Sequence, residues 1–406
     1  MPFDAGTVAT KINKTAEEAR GKLAEQEQAR LLVARLYIAA SESSDRLAEW
    51  SEAVIQAEQH TYSSYALPVQ TTSPNALDYP LHPPFDELGY RVVATDSSFI
   101  EADKHRGAFC HLINVAQAMI KYGDEQEALV EAIPHHYPDY LLPRARRRVD
   151  PERVMQVQCA AHEIKALYAM AQSYDDLSLA IFDGPLNQTL ARLNGAESKA
   201  DAGGDRELND LLAGFDDTVK DFARQLHTPI VGYNSRTKSD LVIRSLEEAL
   251  SAGFFSDLSD TEHRLLQSAL GYLDDGDLFS VLLAPGERSL AFTAWQPAKN
   301  KRKDLSENRI PIISFYLGVG DGAATGVERI DTLADFGPQL DTIQRVLVSQ
   351  CSLGNGYPPV LNLADRYAFL TRGGDRETYF ALLENEGLLK PPSLKSKDKQ
   401  NSGRNV

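Results

Sequence analysis

Arg91-Val-Val-Ala-Thr-Asp-Ser-Ser-Phe99 is the stretch from which the rest of the chain can be read. Val92, Ala94 and Asp96 alternate with Arg91, Val93 and Thr95, the period of a β-strand, so Asp96 shares a face with two apolar residues. The small residues after it leave room for a ligand at a sheet edge. Further on, Leu177-Ser-Leu-Ala-Ile-Phe-Asp-Gly-Pro185 repeats the theme. It is an apolar run, as in a strand covered on both faces, and it too ends in an acid, Asp183. If the two strands are parallel neighbours, Asp96 and Asp183 meet at one edge. Adjacent carboxylates repel unless a cation or a shared proton lies between them, so the pair points to a divalent-metal site.

The 406 residues hold one large domain or two ordinary ones. With 43% hydrophobic and 25% charged residues, the composition is that of a soluble globular protein. No apolar run approaches the roughly 18 residues of a membrane span, and Met-Pro-Phe-Asp-Ala has no signal-peptide character. Cys110, Cys159 and Cys351 are odd in number and far apart, which suggests neither a disulfide framework nor a zinc site. A cytoplasmic protein is expected. The formal charge of −16 argues against broad passive binding to nucleic acid and leaves only a local basic channel. Arg144, Arg146, Arg147 and Arg148 form one basic cluster and Lys299, Lys301, Arg302 and Lys303 another, although each also reads as a solvated loop.

Along the chain, residues 1–65 form an N-terminal helical region, with two helices broken near Ser41 to Asp45 and Leu31, Leu32, Leu36 and Ile38 as the apolar positions. Residues 66–89 read as a proline-rich connector. From Tyr90 the pattern predicts strands at Arg91 to Asp96, Ala108 to Tyr122 and Ala128 to His135, then a helix from Pro151 to Tyr174. A strand at Leu177 to Asp183, a helix at Glu207 to Leu226, a strand at Pro229 to Tyr233 and a helix at Ser239 to Leu250 follow. Three antiparallel strands leading into parallel crossovers is the order of a ribonuclease H-like α/β fold. Further strands are expected at Leu278 to Leu283, Ser289 to Ala294 and Ile310 to Leu317, with helices at Gln339 to Gln350, Leu361 to Leu370 and Arg376 to Leu389. Residues 390–406 read as a disordered basic tail, which leaves 90–389 as the main domain.

A third acid lies on the first crossover helix. Glu163 borders the apolar stripe of Val157, Ala160, Ala161, Ile164, Leu167, Tyr168 and Ala171, so its carboxylate can approach the two strands. Asp96, Glu163 and Asp183 together form the oxygen-rich set that Mg²⁺ or Mn²⁺ prefers. Taken singly, Glu163 reads as a helix-boundary residue and Asp183 as a turn former; the joint placement raises them. His135-His136 reads as a strand-end feature, because adjacent strand residues face opposite ways. His162 does not complete a His-Glu-x-x-His zinc pattern. Gly318 to Gly322 reads as a hairpin connection, and there is no phosphate-binding Gly-x-x-x-x-Gly-Lys loop.

The ordered set Asp96-Ser-Ser, Ile113-Asn-Val115, Phe182-Asp-Gly-Pro-Leu186, Ile230-Val-Gly-Tyr233, Glu328-Arg-Ile-Asp331 and Gly356-Tyr-Pro358 resembles the NurA family of DNA-repair nucleases. That resemblance implies a manganese- or magnesium-dependent nuclease that resects DNA ends 5′ to 3′ and cuts single strands. It further implies a homodimer partnered by a HerA-type hexameric ATPase, acting on single-stranded and duplex DNA ends, with no membrane association. Carried over by position, the family's metal-binding acids fall on Asp96, Glu163 and Asp183 and its active-site tyrosine on Tyr357. Ser97 stands where the family usually has Gly. Ala364-Asp365-Arg366 stands where it usually has Ala-His-Glu, so Asp365 takes the histidine's place as a fourth metal ligand. Arg236 and Lys238, together with the cluster at Arg144 to Arg148, are the expected DNA contacts. The rival reading is a noncatalytic DNA and ATPase adaptor with a degenerate site.

Overall fold

The computed structural model describes residues 4–57, 60–62, 64–69, 89–103, 108, 110–138, 151–186, 206–256, 258–297, 310–320, 325–371 and 373–389. In chain order the elements begin with α1 (Ala5–Ala40), α2 (Ser44–Gln56), β1 (Tyr65–Pro68), β2 (Arg91–Ile100), β3 (Cys110–Lys121) and β4 (Glu127–Pro138). Next come α3 (Pro151–Ala171), β5 (Leu177–Asp183), α4 (Arg206–Asp221), β6 (Ile230–Asn234), α5 (Leu241–Ser251), α6 (Asp260–Ala269) and α7 (Asp275–Ser280). The last are β7 (Phe292–Trp295), β8 (Ile312–Gly320), β9 (Thr325–Leu333), α8 (Leu340–Leu353), α9 (Pro359–Ala368) and α10 (Asp375–Asn385). They cluster into two compact units, Met1–His82 with Asn234–Ile330, and Pro83–Tyr233 with Asp331–Val406. The basic clusters at 144–148 and 299–303, most of the proline-rich connector and the C-terminal tail lie outside the described residues.

The second unit is built around β2. Val92, Val93 and Ala94 are fully buried because β2 is flanked on both edges and covered on both faces. It pairs antiparallel with β3 and parallel with β5, β3 pairs antiparallel with β4, and β5 pairs parallel with β6. The resulting order, β6-β5-β2-β3-β4, is the ribonuclease H-like arrangement expected from the sequence. Helix α3 lies on the face that carries Thr95 and Ser97. There Thr95 Oγ1 donates to Glu163 O at 3.2 Å, and Ile113, Val115, Val154, Met155 and Cys159 form a core cluster. Helix α9 lies on the opposite face, that of Asp96 and Ser98. Ser98 Oγ donates to Ala368 O, and Asn114, the cross-strand partner of Ser98, donates through Nδ2 to the same oxygen at 3.0 Å. Alternate residues of one strand thus meet two different helices, which is the strand's period of two acting on function.

The first unit holds the N-terminal helices. Ser41 ends α1, donating through its hydroxyl to Tyr37 O, and Ser43 caps α2 by accepting from Arg46 N at 3.2 Å. The break falls where the sequence places it. Leu32, Leu36, Tyr37 and Trp50 enter a core shared with α5, α6 and α7, where Tyr37 meets Phe279 edge-on at 5.2 Å. Two of the four expected apolar positions point out instead: Leu31 and Ile38 are exposed, and Ala29, Val33 and Ala40 take the buried stripe. The residues expected to start a connector at Ala66 belong to a strand, since β1 pairs antiparallel with β7, Tyr65 opposite Trp295. Strand β8 neighbours both β7 and β9; of the stretch expected as a hairpin connection, Gly318 to Gly320 belong to β8, and Asp321 and Gly322 lie outside the described residues.

The strand expected at Leu278 to Leu283 is a correction: that run opens inside the short helix α7. Asp274 accepts from Asp277 N at 2.8 Å while Asp277 accepts from Asp274 N at 3.2 Å, a reciprocal cap that starts a helix where apolar content alone suggested a strand. Next to this cap, Asp275 is fully buried and accepts from Val242 N and Ile243 N, both at 3.0 Å, from Ser239 Oγ at 2.8 Å and from Tyr316 OH. It caps the first turn of α5 from a distance. Burial pushes its carboxyl up to about 6, while the Tyr316 hydroxyl, the Ile243 N–H and the Ser239 hydroxyl pull it back down. Asp275→Ala leaves four donors unmatched in the core. The expected loss, read from a denaturant midpoint, is about 3 kcal/mol, with Asp275→Asn clearly milder.

Candidate active site

The register of β2 with β5, Ala94 opposite Ile181 and Thr95 opposite Phe182, places Asp96 beside Asp183 one step further along. Both carboxylates sit at the end of the parallel pair, where β2 opens from fully buried to half-buried. Asp365 comes down from α9 on the Asp96 face. Burial raises the Asp96 carboxyl to about 7, with the Asp183 carboxylate adding to the rise, the Ser97 N–H opposing it and Asp365 adding further. Asp183 is raised for the same first reason, with the Tyr357 hydroxyl pulling it down and Asp365 pushing it up. Three acids therefore converge under mutual repulsion.

Tyr357 closes the group. Its hydroxyl donates to Asp183 Oδ2 at 3.4 Å, and its ring stands edge-on to the buried Tyr233 at 5.5 Å. Burial and the carboxylates of Asp183 and Asp96 drive its own pKa well above the ordinary tyrosine value, so at neutral pH it is a hydrogen-bond donor and not a phenolate. Glu163 arrives from the other face. It is buried and accepts from Ser97 Oγ. The sequence reading placed Glu163 directly with Asp96 and Asp183. The alternation of β2 puts its helix on the face opposite α9, and Ser97, the neighbour of Asp96 on β2, donates to Glu163.

Two glycines shape the site, and the sequence alone assigns neither of them a role. A Cβ on Gly232 would stand 2.5 Å from Gly184 O, so β6 must lack a side chain for the Asp183-Gly184-Pro185 turn to rest against it. A Cβ on Gly354 would stand 1.8 Å from Tyr357 O, inside the loop that delivers Tyr357. Gly354→Ala is expected to displace Tyr357 and lower turnover at least tenfold while leaving the β2-β5 pair intact. Normal turnover with normal thermal stability would contradict that. The only advance signal was the Gly-Asn-Gly spacing just before Tyr357.

Other candidates fall elsewhere. Arg236 and Lys238 are exposed and belong to the first unit, where the Arg236 backbone N donates to Glu328 Oε2 at 2.9 Å. Arg144, Arg146, Arg147 and Arg148 lie outside the described residues. His135 and His136 do point to opposite faces of β4. His135 stacks on His162 at 4.6 Å, and His136 Nδ1 lies 3.1 Å from Tyr379 OH. The three cysteines are buried and form no disulfide.

A family model described as the NurA domain matches residues 90–369. The chain belongs to the NurA nuclease family. The match takes in every acid named above, together with Tyr357 and the β2-β5 pair. Family members are metal-dependent nucleases, and the all-oxygen donor set of this NurA domain suits a hard divalent cation. As they stand, no three His, Cys, Asp or Glu residues among the described ones are drawn closely enough to grip an ion. The fit is one of chemistry and of charge: raised carboxyls at one strand end are what a cation would relieve. No curated protein matches the chain. Among solved structures, the catalytic domain of human Endonuclease V is similar at 12% identity and a TM-score of 0.31, covering 85% of this chain and 99% of that one. No helix among the described residues is long and apolar enough to cross a membrane.

Proposed function

We propose that the NurA domain of this chain hydrolyses DNA phosphodiesters with Mn²⁺ or Mg²⁺ held by Asp96, Asp183 and Asp365, with Glu163 drawn in from across the sheet. The observation that carries this reading is the convergence of Asp96, Asp183 and Asp365 at one strand end, with the Tyr357 hydroxyl on Asp183. Asp365 also favours it over the adaptor reading, because the residue in the histidine's place still adds a carboxylate to the site.

A divalent cation bound there supplies a Lewis acid for the phosphoryl oxygens and a water of lowered pKa. The protein's own groups do the rest. Asp96 and Asp183, fixed by adjacent strands, would hold that cation and through it set where the scissile phosphate lies. Tyr357, protonated at neutral pH, donates to a phosphoryl or leaving oxygen and exchanges its bond to Asp183 for one to substrate. Ser97 Oγ orients the Glu163 carboxylate. Arg236 and Lys238, exposed and basic, contact the DNA backbone, as would Arg144 to Arg148.

The finer reading follows the family: 5′–3′ exonuclease and single-strand endonuclease activity in end resection, by a homodimer fed by a HerA-type hexameric ATPase. At net −16, DNA binding outside a basic path is repelled and salt weakens it further. The test is cleavage of end-labelled single-stranded and duplex DNA with Mn²⁺, Mg²⁺ or EDTA, with and without the ATPase and ATP. Metal-dependent cutting from the 5′ end supports the proposal. Binding without any metal-dependent cutting would establish the adaptor instead.

A further inference from the structure

Directly after Asp365 come Arg366, Tyr367, Ala368 and Phe369, a basic residue interleaved with aromatics at the end of α9. Phe369 is 63% exposed and Tyr367 50% exposed. The two are not equivalent. Phe369 lies four residues after Asp365 and its N–H donates to Asp365 O at 2.9 Å; its φ of −58° keeps its Cβ at the helical position, while its ψ of 125° ends the helix there. Its Cβ therefore leaves on the same side of the helix as the Asp365 side chain. Tyr367, two residues after Asp365, points away from that side.

The position of Phe369 is also fixed. Ser98 and Asn114 hold the Ala368 carbonyl just before it, and Ser98 shares a face of β2 with Asp96. Leu370, just after it, turns back against the cluster of Ile100, Cys110, Tyr379 and Phe380. An anchored phenyl ring thus faces solvent one helical turn from the acid cluster. Arg366 is exposed beside it and makes no ion pair among the described residues. A guided, cationic and aromatic surface next to a phosphodiester site suits a strand of unpaired nucleotides: every base has a face to stack, and every link has a charge to neutralise.

We propose that Phe369 is a stacking platform for a base of single-stranded DNA entering the acid cluster, with Arg366 holding the adjoining phosphate. This rests on the nuclease reading above and names how that site takes its strand. It is a substrate-binding role and not a catalytic one.

The test is equilibrium binding of the full chain, in EDTA, to fluorescent oligothymidylate and to an abasic oligomer of equal length. The wild type should prefer the strand with bases. Phe369→Ala should lose roughly tenfold on oligothymidylate, with little change on the abasic strand, and Phe369→Trp should restore the preference. Arg366→Gln should weaken both ligands and flatten the salt dependence by about 0.7 in log-log slope. Tyr367→Ala should keep the wild-type preference. The proposal is overturned if Phe369→Ala keeps the base preference, or if Tyr367→Ala loses as much. It is overturned too if Phe369→Ala leaves DNA binding intact but abolishes capture of a hexameric ATPase, which would make the ring a protein contact. A wild type that cuts DNA while Phe369→Ala keeps the preference defeats the stacking alone. A wild type that neither binds nor cuts DNA defeats the nuclease reading beneath it.

Discussion

Asp96→Ala is expected to lower metal-dependent cleavage by three orders of magnitude or more while making the metal-free protein more stable. The two effects have one cause. Asp96 is raised to about 7 from 3.8, first by burial and then by the Asp183 carboxylate. Without a cation, the folded chain holds a proton on Asp96 between pH 3.8 and about 7 that the unfolded chain has released. The folded state therefore binds more protons across that window, and stability falls as pH rises through it. Below pH 3.8 the penalty is absent; above about 7 it is complete, and on this shift it amounts to at most roughly 4 kcal/mol. Asp96→Asn should flatten this part of the pH profile and raise the melting temperature in EDTA above pH 7. In the wild type, Mn²⁺ should raise the melting temperature more at pH 8 than at pH 5.5, because at the lower pH it must displace a proton. Asp183→Ala should cost cleavage similarly. A variant that keeps near-normal cleavage removes its residue from the site. A wild type whose melting temperature is indifferent to Mn²⁺ at both pH values removes the metal from these acids.

The frame of this site was legible because its signals are local. The continuous apolar run before Asp183 and the alternation before Asp96 are strand periods, and short links between the next two apolar stretches require antiparallel neighbours. Those rules place Asp96 and Asp183 side by side without any knowledge of distant contacts. They do not fix which helix covers which face, and so they leave open the side from which Glu163 approaches. A residue on the border of a helical stripe can approach a strand end from either side. Only packing shows that α3 takes the Ser97 face and α9 the Asp96 face. Gly232 and Gly354 escaped for a related reason. Their role is to have no Cβ where another segment's backbone passes, and that segment is nowhere near them in the periodic pattern. The apolar run at Leu278 suggests a strand because a six-residue helix is too short to display its own period, and only the Asp274 and Asp277 cap declares it.

Asp365 carries the second large effect, because the family resemblance implies a histidine at its position and the structure puts a carboxylate beside Asp96 and Asp183. Its helix brings it to the Asp96 side of β2, and both Asp96 and Asp183 feel its charge. A neutral imidazole in the same place would ligate a cation without adding a negative charge, whereas an aspartate adds one. Two consequences follow. Asp365→Ala removes a donor from the site and should lower cleavage at least a hundredfold, while leaving Asp96 and Asp183 with less repulsion between them and their surroundings. Asp365→His should retain much more activity than Asp365→Ala. It should also shift the balance of metals, since imidazole suits Mn²⁺ better than Mg²⁺, and an all-carboxylate set favours the harder ion. The measurement is the ratio of cleavage rates in saturating Mn²⁺ and Mg²⁺ for the three proteins, beside the melting temperature of each in EDTA. The wild type should have the ratio least biased to Mn²⁺ and the lowest metal-free melting temperature of the three at pH 8. Equal cleavage by wild type and Asp365→Ala would mean that the third carboxylate only crowds the site, and would return the two strand-end aspartates to the role of sole protein ligands on that face.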